Sequence, residues 1–384
     1  MKNTIVLLGS NTDLGIKIIE LFLKYQNKFQ IVGLTYDHTL NNLDLFLKQV
    51  KSLNPKSIYF DRQEDYKLIS ENEFSDKVEV FCEEDSFIKF IRSTEIDIVV
   101  SSLRGSSCVK KILSSIHEHK DITLLDSAPL LYSGAIIVQE AKSRGVSLDV
   151  FTYQVFSLVQ FLKARRTNDV YSLHFFSSKH NEKIKDIDPD NYKTYFEFIK
   201  KYNSLIKTKI LFEAYLVNYI YNIPVSQMSF YEQNKPVISI AAQFKDGSNL
   251  LNMTSRNFES IFNYYFLDSD LLIDQKYIIY DSLTLSVNKI DINNFDLLKL
   301  GINALEKGGS TPILFYLALD KLTELMYTKK LKIGVDIYKI IENIITDKEL
   351  YTKKPDLSFI YALDKKISTR LNEKYLIKDK KNKN

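Results

Sequence analysis

The feature that most constrains the fold of this chain is the alternation of short apolar runs with amphipathic stretches over residues 1–150. Runs rich in β-branched and aromatic residues predict strands, and apolar residues at spacings of three and four predict the helices between them. The predicted strands are Thr4–Leu8, Phe29–Thr35, Ser57–Phe60, Val78–Phe81, Ile96–Ser101 and Ile122–Leu125, with helices near 41–53, 85–93, 106–117 and 133–144. Strands that alternate with helices form βαβ units, so residues 1–150 predict a Rossmann-like α/β domain with a parallel sheet.

The remainder of the chain predicts two further domains. Residues 151–290 predict an α+β domain with an antiparallel sheet, because Lys245–Ser248 is a hairpin signal between two strand-like runs. Residues 291–384 predict a linker and a helical C-terminal domain that ends in a disordered tail at 378–384. The predicted elements are helices 155–164 and 191–221, strands 170–176, 228–232, 237–244 and 249–253, and helices 294–307, 312–328, 332–345 and 358–376.

Composition excludes several classes of protein. The chain has 384 residues, of which 45% are hydrophobic and 26% charged, and its apolar runs are far shorter than the roughly 20 residues of a membrane-spanning helix. Its net charge of +4 comes mainly from lysines spread over the whole chain, which is not the clustered basic face of a nucleic-acid-binding protein. Cys82 and Cys108 are too few for a disulfide framework or a four-ligand zinc site. With an N-terminus too short and polar for a signal peptide, these features predict a cytoplasmic protein.

A glycine turn follows the first predicted strand. Residues 9–15 read Gly-Ser-Asn-Thr-Asp-Leu-Gly and lead into the first predicted helix, where backbone N–H groups can hold a pyrophosphate. The middle glycine of the dinucleotide fingerprint is absent, so a side chain from Asn11 or Thr12 could block the cofactor, and the turn either binds a dinucleotide or is only a tight turn. The candidate cofactor-binding residues are Gly9, Ser10, Asn11, Thr12, Leu14, Gly15, Asp37 and Gly105.

Asp37 is the candidate residue for selecting between NAD and NADP. It directly follows the second predicted strand, where a carboxylate accepts hydrogen bonds from the ribose hydroxyls of NAD and repels the 2′-phosphate of NADP. A role as an ordinary capping residue is the alternative.

Four segments together resemble the 1-deoxy-D-xylulose 5-phosphate reductoisomerase family. They are 6–15 (VLLGSNTDLG), 123–134 (TLLDSAPLLYSG), 226–248 (ending in Asp-Gly-Ser) and 282–309 (SLTLSVNKIDINNFDLLKLGINALEKGG). The resemblance implies an NADPH-binding domain, a catalytic domain and a C-terminal helical domain. It also implies a homodimer that pairs through strands 228–253. The family isomerises and reduces its substrate to 2-C-methyl-D-erythritol 4-phosphate with NADPH and a divalent metal.

The positions that the resemblance assigns to the metal do not hold the family's acids. The family's Asp and Glu, two residues apart, fall at Thr152 and Gln154, and the second Glu falls at Glu213. Magnesium depends on anionic oxygen ligands. We therefore expect the Mg or Mn site to be lost and Glu213 to be its vestige.

Positions that the resemblance assigns to the substrate are also changed. A lysine and a glutamate near the metal become Ser127 and Ala128. Ser178 and Lys209 are the remnants of the phosphate site, and the flap region at 188–192 contains neither His nor Trp.

Three hypotheses follow from these residues. In the first, the chain is a non-catalytic binding or regulatory homologue that acts through a partner surface or through a retained nucleotide, NAD or NADPH. In the second, it is a diverged but active reductoisomerase, or an oxidoreductase that acts on another substrate without a metal. In the third, it is a purely structural subunit. The sequence names no partner other than the implied second copy.

Overall fold

The computed structural model describes residues 2–67, 78–93, 95–163, 165–178, 203–253, 258–267, 284–328, 330–331 and 336–376. Several predictions lie outside these residues: the tail 378–384, the flap region 188–192, the first part of helix 191–221, and Lys179 and His180 of the phosphate-site loop. The strands are β1 Asn3–Leu8, β2 Phe29–Thr35, β3 Ser57–Phe60, β4 Glu79–Cys82, β5 Ile98–Ser101, β6 Asp121–Leu124, β7 Leu148–Val150, β8 Val170–Ser178, β9 Met228–Gln233, β10 Ile238–Phe244, β11 Asn249–Met253 and β12 Val287–Lys289.

The helices are α1 Asp13–Lys24, α2 Leu43–Leu53, α3 Gln63–Lys67, α4 Phe87–Arg92, α5 Ser106–His117, α6 Ala128–Ser133, α7 Ile136–Arg144, α8 Tyr153–Leu162, α9 Asn203–Tyr221, α10 Phe258–Phe266, α11 Asp296–Lys307, α12 Thr311–Tyr327, α13 Ile337–Thr346 and α14 Leu357–Tyr375. Most of them lie in or near the predicted amphipathic stretches, whereas α3, α6 and α10 were not predicted. In the described part of the chain, no helix is long and apolar enough to cross a membrane.

The chain divides into two structural units. The first contains Met1–Leu130, Ala135–Thr152 and α10, and the second contains Leu131–Gly134 and the chain from Tyr153 onward except for α10. The predicted division into three domains at residues 150 and 290 is finer, and it stays a prediction.

The first unit is built on a seven-stranded parallel sheet, as predicted. The strand order is β4-β3-β2-β1-β5-β6-β7, with neighbouring strands paired in parallel throughout. The central strands are apolar along their length because helices cover both faces of such a sheet. Residues Ile5 to Leu8 of β1 are fully buried. This order places the turn after β1 between the ends of β2 and β5.

The second unit contains a five-stranded mixed sheet with the order β11-β10-β8-β9-β12. The predicted antiparallel pairing is confirmed for β10 with β11, β10 with β8, and β12 with β9. It differs at one pair, since β8 and β9 run parallel. Parallel neighbours need a long crossover, and here the chain between the two strands includes α9.

Helix α9 is anchored to α11 inside the second unit. The hydroxyl of Tyr215 on α9 donates to the carbonyl of Gly301 at 2.6 Å, and Tyr215 is fully buried. A Cβ at Gly301 would lie 2.1 Å from the Leu211 side chain, so the two helices approach closely only because this residue is glycine.

An aromatic cluster holds α10 in the first unit. Phe262 and Phe266 of α10 pack against Phe22 of α1 and Phe29 of β2, with ring centroids 5.1–6.3 Å apart. Edge-to-face pairs at these distances add to the burial of apolar surface. No element was predicted for this segment from the sequence.

Candidate functional site

The turn after β1 is fixed from both neighbouring strands. Gly9 adopts a φ of +79°, which favours glycine. Its N–H donates to Thr35 Oγ1 at the end of β2 at 2.8 Å, and its carbonyl accepts from Ser102 Oγ after β5 at 2.7 Å. The turn is therefore held in one conformation before any ligand arrives.

Asn11 does not block the turn, contrary to one of the sequence-based expectations. Its side chain is 1% exposed and points to the end of β2. Asn11 Oδ1 accepts from the N–H of Asp37 at 2.7 Å, and Asn11 Nδ2 donates to the Asp37 carbonyl at 2.9 Å. Asn42 completes this network by donating from Nδ2 to the Asn11 carbonyl at 2.9 Å. The amide side chain thus fixes the distance between the turn and Asp37.

Thr12 is the N-cap of α1. Its hydroxyl accepts from the N–H of Gly15 at 2.9 Å and donates to Ser102 Oγ at 2.7 Å. One hydrogen bond lies within the turn and the other joins it to the residue after β5, so the threonine side chain is held against the protein. Next to it, the carboxylate of Asp13 is exposed in the first turn of α1, where it adds negative charge to the helix N-terminus.

Gly15 allows α1 to approach the turn. A Cβ there would lie 2.3 Å from the Gly9 carbonyl oxygen and 2.7 Å from the Ser10 carbonyl oxygen. Gly105, at the N-cap of α5, has a φ of +82° and open space around its Cβ position. These are the backbone conditions under which a parallel-sheet domain can hold a pyrophosphate.

Asp37 carries the carboxylate at the end of β2. Its Oδ1 accepts from the N–H and the hydroxyl of Thr39, at 3.0 and 2.7 Å. The capping role is therefore present, and the side chain remains half-exposed. The structure does not exclude the second role, contact with a ribose.

Residues at the positions implied for the metal are divided between the two units. Thr152 ends a segment of the first unit, whereas Gln154 is the second residue of α8 and Glu213 lies on α9, both in the second unit. Gln154 is buried, and Thr152 and Glu213 are half-buried. Within the described residues, no three His, Cys, Asp or Glu side chains are grouped as metal ligands. Because one carboxylate is present among these three positions, they do not fit magnesium.

A half-buried acid lies close in sequence to these positions. Desolvation, and to a lesser extent the charge of Asp121, together raise the pKa of Asp149 on β7 to about 6. Asp149 is paired in register with Thr123 inside the parallel sheet. It therefore belongs to the sheet of the first unit.

Ser127 and Ala128, at the positions implied for a lysine and a glutamate, lie beside an ion pair that joins two loops. The Arg104 guanidinium contacts the Asp126 carboxylate at 2.7 Å, and Asp126 also accepts from the N–H of Ala128 at 2.8 Å. The loops after β5 and β6 are thereby connected.

The second unit contains a charged group that the sequence-based prediction missed. Lys209 is exposed, whereas Lys207, two residues earlier on α9, has a side chain only 4% exposed. Two residues are about 200° apart around a helix, so the two lysines lie on opposite faces. Lys207, Leu211 and Ala214 form a buried stripe with i, i+4, i+7 spacing, which is a signal that the sequence contains.

Lys207 is ion-paired inside the unit. Its ammonium group contacts the Glu232 carboxylate of β9 and lies 3.4 Å from Ser177 Oγ of β8. Ser177 and Glu232 are register partners on the parallel β8–β9 pair. Phe295 covers the ammonium group with its ring centroid 5.7 Å away. Ser178, the predicted phosphate remnant, is half-buried at the end of β8.

Together these features define a protein with a Rossmann-like parallel-sheet unit and a second unit built on a mixed sheet. The sequence model of the 1-deoxy-D-xylulose 5-phosphate reductoisomerase family matches residues 5–134. Curated proteins of that name from Clostridium perfringens and Bacillus subtilis are 24% and 23% identical, covering 97% and 95% of this chain and 99% and 97% of their own lengths.

Solved structures agree with these sequence matches. The Zymomonas mobilis reductoisomerase in complex with NADPH has a TM-score of 0.82 at 17% identity and covers 96% of this chain and 98% of its own. A reductoisomerase in complex with NADPH, fosmidomycin and magnesium has a TM-score of 0.78 at 16% identity, covering 97% and 99%. The chain is therefore similar to the 1-deoxy-D-xylulose 5-phosphate reductoisomerases over nearly its whole length, and the resemblance found in the sequence is confirmed.

Proposed function

We propose that this protein binds a nicotinamide dinucleotide on the reductoisomerase scaffold and does not carry out the metal-dependent reaction of the family. The observation that carries the proposal is the pairing of Lys207 with Glu232. A lysine beside Ser177 would offer its charge to the phosphate of a substrate, but here a carboxylate of the same chain neutralises it.

The charge balance supports this proposal. A phosphorylated substrate brings roughly two negative charges. If Glu232 stays in place, the phosphate meets a neutral pair that includes a carboxylate, and displacing Glu232 leaves that carboxylate without its cation. Either event weakens binding relative to an unpaired lysine.

The residues implied for the metal support the same conclusion. The family's reaction needs charge stabilisation at adjacent substrate oxygens, which a divalent cation supplies. Threonine and glutamine oxygens are neutral, so Thr152 and Gln154 cannot replace two carboxylates as ligands of a hard cation.

The first unit fits a dinucleotide better than the three positions implied for the metal fit magnesium. The turn at Gly9, the close approach at Gly15 and the open position at Gly105 would hold the pyrophosphate. Asn11 would keep Asp37 at a fixed distance from it. A bound nicotinamide supplies a hydride donor or acceptor, and the protein's own part here is to bind and orient it.

A single-turnover experiment tests the proposal. Excess protein is mixed with 1-deoxy-D-xylulose 5-phosphate, Mg²⁺ or Mn²⁺, and NADPH or NADH, and the nicotinamide absorbance is followed. We expect a flat trace, with a family reductoisomerase as the positive control. Oxidation that depends on both substrate and metal would overturn the proposal.

A gain-of-binding variant addresses the paired lysine directly. Glu232→Gln keeps the shape of the side chain and frees the charge of Lys207, so we expect it to bind inorganic phosphate more tightly than the wild type by calorimetry. Glu306→Gln, the same change at an exposed acid of α11, is the matched control. Equal phosphate affinity in the wild type and Glu232→Gln would count against the argument.

A diverged but active reductoisomerase is the second candidate. The coverage of 97% of the chain by relatives that carry this name favours it. The same single-turnover trace distinguishes the two candidates.

The homodimer that the resemblance implies remains a proposal about the mixed-sheet unit. Sedimentation at micromolar protein concentration tests it, and a monomer there would contradict it.

A further inference from the structure

We infer that the dinucleotide site selects NAD(H) over NADP(H), and that Asp37 makes this choice. The inference rests on the dinucleotide binding proposed above and specifies the ligand of that site.

The position of Asp37 relative to the turn carries the argument. In parallel-sheet dinucleotide domains, the pyrophosphate lies on the turn after β1, and the adenosine ribose reaches the end of β2. Asn11 clamps both the N–H and the carbonyl of Asp37, at 2.7 and 2.9 Å. Because Asn11 belongs to the turn itself, a cofactor seated on the turn has its ribose at a fixed distance from this carboxylate.

The second oxygen of Asp37 distinguishes the two cofactors. Thr39 engages Oδ1 through its N–H and its hydroxyl. These bonds fix the orientation of the carboxylate. A ribose with free hydroxyls can donate to a carboxylate, whereas a 2′-phosphate has no proton to donate and adds charge of the same sign.

Charges after the next strand do not reverse this preference. Lys111 is 7% exposed at its side chain and contacts Asp61 at 2.6 Å. His38 lies 3.8 Å from the same carboxylate. The positive charge of Lys111 is thus neutralised by a carboxylate that follows β3.

A polar cavity of about 460 Å³ also lies after β3 and β4. It is lined by Asp61, Arg62, Gln63, Glu64, Lys67 and Glu83. Because Asp61 is paired with Lys111, the two remaining carboxylates balance the two cations, and the lining offers no net positive charge to a phosphate dianion. Arg62 is the cation that a 2′-phosphate would recruit if the inference were wrong.

Calorimetric titration of the full chain with NADH and NADPH tests the inference without any turnover. We expect NADH to bind at least about tenfold more tightly than NADPH, as like charges a few ångströms apart would produce in a partly exposed site. Equal affinities, or tighter NADPH binding, would overturn the inference while leaving dinucleotide binding intact. No binding of either nucleotide would overturn both.

Three variants locate the origin of the preference. Asp37→Asn keeps the acceptor for Thr39 and removes the charge, so we expect the ratio of the two affinities to fall below about threefold. Asp44→Asn, at an exposed acid in the first turn of α2, is the matched control and should keep the wild-type ratio. If Asp37→Asn leaves the ratio unchanged, the assignment to Asp37 is wrong, and a loss of NADPH affinity in Arg62→Ala would show that Arg62 contacts the 2′-phosphate.

Discussion

Replacing Gly15 by alanine sets two opposing effects against each other. Alanine is a better helix former than glycine by about 1 kcal/mol, so propensity alone predicts a more stable α1. The new Cβ, however, would lie 2.3 Å from the Gly9 carbonyl oxygen and 2.7 Å from that of Ser10. Both contacts are to backbone atoms, which cannot rotate away as a side chain can.

The clash should decide the sign. Overpacking of a dense site costs about 1–3 kcal/mol, and rigid backbone partners place Gly15→Ala at the upper end of that range. Subtracting the propensity gain leaves a net loss of about 2 kcal/mol. For a unit of this size the loss corresponds to a fall in Tm of about 4–8 °C.

Thermal unfolding followed by circular dichroism measures this difference. Gly145→Ala is the matched control, because Gly145 has a φ of +66° and open space at its Cβ position. This substitution should lower the free energy of unfolding by about 1–2 kcal/mol, the cost of placing an alanine in the left-handed backbone region. It should not change nucleotide affinity. If Gly15→Ala is as stable as the wild type, the close approach of α1 to the turn does not depend on glycine and the reasoning fails.

Three other predictions follow from the buried polar groups. Lys207→Met and Glu232→Leu should each lower the free energy of unfolding by about 2–4 kcal/mol, since each leaves the other charge without its partner. The double variant should lose less than the sum of the two single losses. Urea denaturation measures these differences, and additive losses would contradict the prediction. The raised pKa of Asp149, about 6 in place of 3.8, means that the native state binds this proton more tightly than the unfolded state. Stability from this group is therefore present below about pH 4 and lost as the pH rises through about 6, by at most about 3 kcal/mol. Asp149→Asn should remove that part of the pH dependence of the urea midpoint, and an unchanged profile would refute the assignment. Tyr215→Phe should cost about 1–2 kcal/mol in thermal unfolding, because the buried Gly301 carbonyl loses its donor; no change in Tm would show that the bond contributes nothing net.

The first unit could be predicted from sequence because its signals are local. Each of β1 to β6 is an apolar run next to a stretch whose apolar residues recur at helical spacing. A parallel sheet follows from that alternation alone. β7 was not predicted, because a three-residue strand has too few positions to show an alternating pattern. The parallel pairing of β8 with β9 depends on the crossover between them. The residues of a strand do not themselves indicate whether it pairs with its neighbour in parallel or antiparallel.

At the candidate site, residue type alone does not predict the role of a side chain. Asn11 looks like an obstacle when it is considered as a bulky replacement of glycine, yet its amide is turned inward to Asp37. Lys209 is the lysine nearest the position implied by the resemblance, but helix geometry buries Lys207 instead. In both cases the direction of the side chain decides its role, and tertiary packing sets that direction.

The order in which the first unit is assembled has a consequence for how the protein is made. Most of its strands and helices are synthesised by residue 152, but Phe262 and Phe266 reach Phe22 and Phe29 only after more than a hundred further residues. A nascent chain that folds from its N-terminus would therefore carry an uncovered aromatic patch on the first unit while the mixed-sheet unit is still being translated. A fragment that stops at Thr152 should expose the same patch and aggregate, whereas supplying α10 through a short linker should restore a soluble unit.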